Sequence, residues 1–279
     1  MVRGQVRWFA VRMGPLFPLT MTPLAQELVD TVIDHLHDDH KSLHACALTC
    51  QSWLPSAQHH IFRVVELETH EQCIQFWSLM KSNPRLGALV QIISIRERGY
   101  LWVEEDLPLV APYVSEARTM SVCDVTFTAR VQACICMHFT SVKRLELNLS
   151  RFPAFSPAAV LLQSFPNLTE LDLWGIFWAP GADCSSLNNS SHPIQKLSLH
   201  NLLIGYCHVD QLIEWLSSTS SLEQIKTLSL RLGAPSDILP LAMLLRSAGP
   251  SLEDLTVNCG LDLHGGFAAD GTTGPTIFY

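Results

Sequence analysis

The sequence predicts an α/β protein that begins with a small module of three helices and continues as a repeated series of parallel strands and helices. Apolar residues recur at helical spacing between residues 23 and 63, which we call the helical module. An apolar-x-x-apolar-x-apolar phrase then returns at intervals of about 26 residues, with helical patterns between the phrases. We divide the chain into a leader (1–22), the helical module, a repeat region (64–263) and a tail (264–279).

The composition is that of a folded chain with an acidic balance. Of the 279 residues, 48% are hydrophobic and 16% are charged, so a sizeable core is expected. The formal net charge of −8 disfavours a nucleic-acid binder, which normally carries a basic surplus. The nine cysteines lie scattered in apolar runs, and we interpret them as reduced thiols of a cytoplasmic or nuclear protein. No run of about 18 uncharged apolar residues occurs, so we expect no membrane-spanning helix.

The leader differs from the rest of the chain in its charge. It carries Arg3, Arg7 and Arg12 and no acidic residue. We interpret it as a disordered segment, and a mitochondrial-type targeting segment, which is also Arg-rich and acid-poor, is the alternative.

The helical module is expected to contain three short helices. In the first, Thr22 is a candidate N-cap and Pro23 a suitable first residue. The apolar stripe of this helix consists of Leu24, Leu28, Val32, Ile33 and Leu36. An acidic turn over 37–40 follows, a second helix is predicted from Ser42 to Cys50, and a third starts near Trp53. A core this small normally needs a partner or a neighbouring domain, which indicates an interaction module.

Several residues of the module follow a family pattern. Pro23, the spacing Leu28–Ile33–Leu36, the run from Leu43 to Cys50, Trp53 and Phe62 together resemble an F-box, in the form common in fungal proteins. The usual opening Leu-Pro is here Thr22-Pro23. The resemblance implies docking onto a Skp-type adaptor of a cullin-based, SCF-type ubiquitin ligase. The adaptor-binding candidates that it implies are Pro23, Leu24, Leu28, Ile33, Leu36, Leu48, Cys50 and Trp53. The alternative is that these residues only form the core of a three-helix bundle.

The repeat region is predicted from its strand-like phrases. Complete phrases begin at Val142, Leu168, Ile194, Ile225 and Leu252, and two shorter matches begin at Ile93 and Met120. Helical patterns are Glu71–Lys81, Glu105–Val114, Ala129–Phe139, Ser156–Phe165, Val209–Ser217 and Asp237–Ser247. In the fourth of these, Ser156 is a candidate N-cap and Pro157 a suitable first residue. Residues 179–193 lack an apolar stripe and are predicted to be a loop.

Strand, turn and helix repeating in this way resemble a leucine-rich repeat, from roughly Leu86 to Leu263. The resemblance implies an irregular β/α solenoid with parallel strands, capped at its start by the helical module. The asparagine that the family places after each strand is absent, since those positions hold Ser150, Ile176 and Leu202. The backbone groups that an asparagine ladder satisfies therefore need other partners. We expect the chain from Gly260 onward to be poorly ordered.

Alternate residues of each phrase point away from the core onto one shared concave face. The target-binding candidates on this face are Glu146, Asn148, Asp172, Trp174, His200, Arg231 and Asn258. Trp174 is the best candidate anchor, because tryptophan combines a large apolar surface with one hydrogen-bond donor. The alternative is that Trp174 packs against the nearby Phe177 or Trp178.

Patterns for catalysis or metal binding are weak. His40 and His44, like Cys46 and Cys50, are four residues apart, but the two pairs would lie on different faces of one helix and match no common zinc spacing. No G-x-S-x-G motif and no phosphate-binding loop occur. We therefore expect no enzyme activity, no metal and no cofactor. A small metalloenzyme around His40 and Cys46 is a third hypothesis.

The leading hypothesis is a substrate-recognition adaptor: the helical module docks the Skp-type adaptor and cullin ligase core, and the repeats bind an unknown target protein. The alternative is an interaction scaffold without a ligase, in which the module only caps the solenoid. The two differ in one structural respect. A docking stripe is partly exposed in the isolated chain, whereas the stripe of a cap is buried by the first repeats.

Overall fold

The structure is a computed structural model that describes residues 25–97, 101–178, 196–207, 209–232, 238–249 and 251–259. These residues form an α/β fold, as predicted, with one large parallel sheet and accompanying helices. The predicted leader, the loop at 179–193 and the tail lie outside the described residues, as do Pro23 and Leu24.

The helices and strands follow the predicted order. The α-helices are α1 (Gln26–Asp34), α2 (His40–Thr49), α3 (Leu54–Arg63), α4 (His70–Ser82), α5 (Val103–Val110), α6 (Ala129–His138), α7 (Phe155–Gln163), α8 (Val209–Ser218) and α9 (Ile238–Ala248). Two 3-10 helices cover Pro84–Leu89 and Ala111–Tyr113. The strands are β1 (Val64–Leu67), β2 (Ile92–Arg96), β3 (Thr119–Cys123), β4 (Arg144–Asn148), β5 (Arg151–Phe152), β6 (Glu170–Trp174), β7 (Phe177–Trp178), β8 (Asn201–Gly205), β9 (Thr227–Leu232) and β10 (Asp254–Cys259).

The large sheet has the order β1-β2-β3-β4-β6-β8-β9-β10, and all of its neighbouring strands are parallel. Strands that follow one another in the chain are therefore neighbours in the sheet. The strands β5 and β7 form a second, two-stranded parallel sheet beside it. Parallel strands need a crossover connection, and α4, α5, α6, α7, α8 and α9 supply it for all neighbouring strands of the large sheet except β6 and β8, whose connection includes residues outside the described part of the chain.

Short polar side chains start several helices. Asp39 accepts hydrogen bonds from the backbone N–H groups of Lys41 and Ser42 at 3.1 and 3.2 Å. Thr69 and Thr128 cap α4 and α6 in the same way. Because Asp39 is the cap, α2 begins two residues before the predicted start at Ser42.

Two other predicted helix starts are wrong. The helix α1 begins at Gln26 rather than at Pro23, because Ala25 has the non-helical backbone angles φ −56° and ψ 137°. The helix α7 begins at Phe155 behind Ala154, so Ser156 lies inside the helix instead of capping it. Phe155 is fully buried, and its packing in the core outweighs the capping preference of serine.

The strand predicted from Ile194 to Leu199 is also wrong. The strand β8 lies further along the chain and places Leu202 between Leu171 on β6 and Leu228 on β9. Leu202 is therefore the strand residue that corresponds to the second apolar residue of the other phrases, such as Leu145 and Leu171. The longest interval of the repeat consequently lies between β6 and β8, where the chain also contains the predicted loop.

The physical reason is that two apolar pairs compete in this segment. Leu197 and Leu199 are 2% and 0% exposed, so their burial was correctly predicted. Leu202 and Ile204 show the same alternation one position out of phase, and they are equally buried. A shift by one residue reverses which side chains face the core, and pairing with both neighbouring strands selects the second pair.

A ladder of backbone hydrogen bonds follows the strands in place of the asparagines. The residue after each of β3, β4, β6 and β8 has a φ between 51° and 59°; these residues are Asp124, Leu149, Gly175 and Tyr206. Each donates its backbone N–H to a carbonyl near the end of the next strand in the large sheet. The acceptors are the carbonyls of Asn148 (2.8 Å), Trp174 (2.7 Å), Gly205 (2.8 Å) and Arg231 (3.4 Å). The backbone thus satisfies its own polar groups here. The buried Ser150 hydroxyl adds a hydrogen bond to the Asn148 carbonyl at 3.1 Å.

Candidate functional site

The strand face is the side of the large sheet that carries the alternate, outward-pointing residues. The sheet register arranges these residues in rows that cross the strands. The first row contains Thr119, Arg144, Glu170, Asn201 and Thr227. The middle row contains Ser121, Glu146, Asp172, Leu203 and Ser229, and the last row contains Cys123, Asn148, Trp174, Gly205 and Arg231. Charged groups are concentrated on β4 and β6.

The carboxylate cluster consists of Arg144 and three acidic residues on β4 and β6. Arg144 Nε donates to Glu146 Oε1 at 2.9 Å, and Nη2 donates to Asp172 Oδ2 at 2.8 Å. A third hydrogen bond joins Arg144 Nη1 to Glu170 Oε2 at 3.3 Å. One guanidinium thus faces three carboxylates, which gives the cluster a formal charge of −2.

Burial and charge act against each other in this cluster. Burial raises the pKa of Asp172, and although Arg144 acts to lower it, Glu146 adds to the rise. For Arg144, burial alone would lower the pKa, but Asp172 and Glu146 outweigh it and raise the pKa of the guanidinium. The cluster therefore keeps its arginine charged, while its surplus carboxylates are electrostatically unfavourable for one another.

The aromatic corner consists of Trp174, Gly205, Tyr206 and Arg231 at the ends of β6, β8 and β9. The Tyr206 ring meets Trp174 edge to face, with centroids 5.0 Å apart and an interplanar angle of 76°. The Arg231 guanidinium carbon lies 4.9 Å from the centroid of the Trp174 ring, which is a cation–π distance. The predicted alternative for Trp174 was packing against Phe177 or Trp178; the Trp178 ring packs edge to face on Phe155, with centroids 5.1 Å apart.

A groove of about 1000 Å³ runs along the strand face and is lined by Arg144, Glu146 and Asp172 of the carboxylate cluster and by Trp174 and Arg231 of the aromatic corner. It contains six of the predicted target-binding residues: Glu146, Asn148, Asp172, Trp174, Arg231 and Asn258. Leu203 and Ser229 line the groove beyond Asp172, and Arg96 lines it on β2. Arg96 Nη1 lies 3.4 Å from Glu68 Oε1, so the end of the groove on β2 also contains an ion pair.

The seventh candidate, His200, does not lie on the strand face, and its predicted position there is wrong. It precedes β8, where its N–H donates to the Thr169 carbonyl at 2.8 Å and its carbonyl accepts from Lys226 at 2.8 Å. With Glu223, Lys226 and Glu253 it lines a shallow cavity near the beginning of the strands. The cause is the misplaced phrase that begins at Ile194, which put His200 at the end of the predicted strand.

Sequence reasoning missed Leu203 and Tyr206 for the same reason. Leu203 lies outside the strand predicted from Ile194 to Leu199, although the short apolar run Leu202-Leu203-Ile204 is compatible with a buried strand. Tyr206 corresponds to Leu149 and Gly175 in the ladder of positive φ angles. A positive φ at a tyrosine has no sequence signal comparable to that of glycine.

The helical module carries exposed apolar side chains on its outer surface. Leu28 and Val32, one turn apart on α1, are 55% and 47% exposed, and Leu48 on α2 is 52% exposed. Ile33 is completely buried, which assigns this candidate to the core of the module. Of the remaining candidates, Leu36 and Trp53 pack partly against that core, and Cys50 is half-buried.

Polar contacts hold α1 against α3. Asp34 Oδ1 accepts a hydrogen bond from His60 Nε2 at 2.7 Å, and Asp30 accepts one from the hydroxyl of Ser56. Within α1, Gln26 also donates to Asp30 at 2.8 Å. These contacts fix the buried face of α1 toward α3, so the face with Leu28 and Val32 is directed outward.

The described residues contain no group of three histidine, cysteine or acidic side chains arranged to hold a metal ion. Among the same residues, no helix has the length and apolar character needed to cross a membrane. No family model matches the chain, and no curated protein matches it either.

Proposed function

We propose that this chain is the substrate-recognition adaptor of a cullin-based ubiquitin ligase. In this proposal α1–α3 form an F-box-type module that docks a Skp-type adaptor. The strand–helix units form an irregular leucine-rich-repeat-like solenoid whose strand face holds a target protein. The chain itself performs no chemistry, and its contribution is to hold the target near the ubiquitin-carrying enzyme, which raises the effective concentration of the reacting groups.

The observation that carries the proposal is the exposure of Leu28, Val32 and Leu48. Each large aliphatic side chain that leaves water contributes about 1.5–3 kcal/mol. Single apolar side chains such as Leu149 and Val160 are equally exposed elsewhere, but the small helical module carries three, and Leu28 and Val32 are neighbours on one helix. An apolar surface of this kind is typical of a site that is covered by another protein.

A pull-down with a Skp-type adaptor tests the docking step. Wild-type protein is expected to capture the adaptor, and Leu28→Asp is expected to lose that capture. Leu28 lies in the first turn of α1, where a carboxylate interacts favourably with the helix dipole, so the substitution should leave the fold intact. The matched control is Val160→Asp on α7, which is 48% exposed and lies outside the helical module. Equal capture by wild type and Leu28→Asp would exclude docking through this surface.

One observation favours the scaffold alternative as a second candidate. The helix α3 continues directly into β1, and it also packs against the 3-10 helix Pro84–Leu89. The module therefore has a structural role at the starting edge of the sheet. If that were its sole role, the pull-down would capture no adaptor with any variant, while target binding on the strand face would remain.

A further inference from the structure

We infer that the groove on the strand face binds an extended peptide segment in which a basic side chain stands two residues from an apolar side chain. The inference rests on the proposed target-binding role of the strand face and names the chemistry of the target. It is carried by the unbalanced charge of the carboxylate cluster and by the position of Leu203 beside it.

The carboxylate cluster lacks two positive charges. Arg144 balances one of its three carboxylates, which leaves a surplus of two negative charges between β4 and β6. The side chains of Asp172, Glu146 and Glu170 are 22%, 27% and 36% exposed, so an incoming lysine or arginine can reach them. Because they are partly buried, their attraction for a cation is stronger than it would be in bulk water.

The other charged groups of the groove lie beside partners, and of these Arg231 keeps its single positive charge, because its partner is an uncharged ring. Arg96 lies beside Glu68, Arg231 lies over the Trp174 ring, and Asp124 lies 4.0 Å from Arg151. The strongest unbalanced charge is therefore at the centre of the groove and is negative. This pattern favours a cationic side chain of the partner at the centre.

Leu203 supplies the apolar part of the site. It lies on β8 in the middle row, directly beside Asp172 and next to Ser229 on β9. Ser229, the next residue of the middle row, has a small side chain and lines the groove, which leaves room above the sheet for a crossing chain.

The spacing between the two subsites matches an extended peptide. The cluster bridges β4 and β6, so Leu203 on β8 is about one and a half strand spacings, or roughly 7 Å, from its centre. In an extended chain, residues i and i+2 point to the same side and are also about 7 Å apart. A peptide that crosses the strands can therefore place a basic residue on the cluster and an apolar residue on Leu203.

A random peptide library selected on the full-length chain tests the inference. We expect the enriched peptides to share a lysine or arginine two positions from a leucine, isoleucine, methionine or phenylalanine, in either order. A synthetic peptide of the enriched sequence is then titrated by fluorescence polarisation. Its affinity is expected to fall with added sodium chloride, and by about tenfold or more in the double variant Glu146→Gln/Asp172→Asn. Leu203→Ser is expected to weaken the same peptide.

The matched control is Glu253→Gln, which removes a carboxylate outside the groove, and it should leave the affinity unchanged within about twofold. Thermal melts of all variants separate lost binding from lost folding. Enrichment of acidic or uncharged peptides, enrichment of no pattern, or equal affinity in the double variant would each overturn the inference. Adaptor capture is scored separately: peptide binding without adaptor capture rejects the ligase proposal alone, and adaptor capture without peptide selection rejects the peptide site alone.

Discussion

The indole ring of Trp174 covers Gly205 on the neighbouring strand so closely that no larger residue fits beneath it. A Cβ atom on Gly205 would lie 2.7 Å from Cε3 and 2.8 Å from Cζ3 of the ring. Because Gly205 has no side chain, the ring can cross β8 and reach Arg231 on β9. The glycine is therefore part of the aromatic corner, although it contributes no side chain.

Gly205→Ala is expected to displace the Trp174 ring and to lower the free energy of unfolding by about 1–3 kcal/mol, as in other overpacked sites. Denaturant titration measures the loss, and a change in tryptophan emission reports the altered ring environment. In a Trp174→Ala background the added methyl group has space, so the same glycine substitution should cost much less. Additive effects of the two substitutions would show that the ring and the glycine do not interact.

Arg144→Gln tests whether the arginine holds the carboxylate cluster together. Without Arg144, three carboxylates remain close to one another, and the pKa of Asp172 should rise further because its main lowering partner is gone. A raised pKa in the folded state costs stability above the pKa of the unfolded carboxyl, which is about 4. The variant should therefore be less stable by about 1–2 kcal/mol near neutral pH, after allowance for solvent screening, and the difference should shrink as the pH approaches about 4.

Chemical denaturation across this pH range checks the expectation. Arg85→Gln, which removes an exposed arginine from the first 3-10 helix, is the control and should show no such pH dependence. A difference between wild type and Arg144→Gln that stays constant with pH would mean that the loss comes from packing and not from charge.

Much of the fold could be predicted because local patterns and the sheet agree. Leu145 and Leu147, or Leu171 and Leu173, alternate with polar residues, and the same alternation places one set in the core and the other on the strand face. The position of β8 could not be predicted, because both of its candidate apolar pairs are buried and only the neighbouring strands decide between them.

Most residues of the candidate site could be predicted from the sequence, but the contacts between them could not. Glu146 and Asp172 were recognised as residues of the strand face from their alternation alone. That they share Arg144 depends on the register of β4 against β6, which the sequence does not encode locally. The contact between Trp174 and Gly205 likewise depends on β8, whose position along the chain is predicted wrongly from the sequence.

The ladder of positive φ angles predicts opposite effects at two equivalent positions. Leu149 has a φ of 51° and is 49% exposed, so it carries backbone strain without the benefit of burial. Leu149→Gly should leave the free energy of unfolding unchanged or raise it by up to about 1 kcal/mol, because glycine adopts this conformation without strain. Gly175 has a φ of 59°, and a Cβ there would lie 2.8 Å from Leu149 Cδ2. Gly175→Ala should therefore lower the free energy of unfolding by about 1–2 kcal/mol.

Thermal and chemical denaturation of the two variants provide the measurement. Leu147→Gly serves as the comparison, because Leu147 is buried two residues earlier and its loss should cost several kcal/mol, in the range of about 2–5 for large-to-small core substitutions. A large loss in Leu149→Gly, similar to that of Leu147→Gly, would mean that the Leu149 side chain stabilises the fold.

The ion pair between His70 and Asp106 predicts how stability depends on pH. His70 Nδ1 lies 2.6 Å from Asp106 Oδ2, and this contact joins the start of α4 to the buried face of α5. The hydrogen bond and charge of Asp106 raise the pKa of His70 above its ordinary value of 6.5. The stability from this pair is therefore fully present below about pH 6.5 and is lost as the pH rises through the raised pKa of the folded state.

His70→Gln should lower the melting temperature at acidic pH and should have a smaller effect at alkaline pH, where the wild-type histidine is neutral. Melting curves from mildly acidic to mildly alkaline pH measure this difference, and His35→Gln in the turn after α1 is the control. An effect of His70→Gln that is equal at both ends of the range would show that the pair stabilises the fold by packing or neutral hydrogen bonding, because a charged pair must lose its contribution when the imidazole loses its proton.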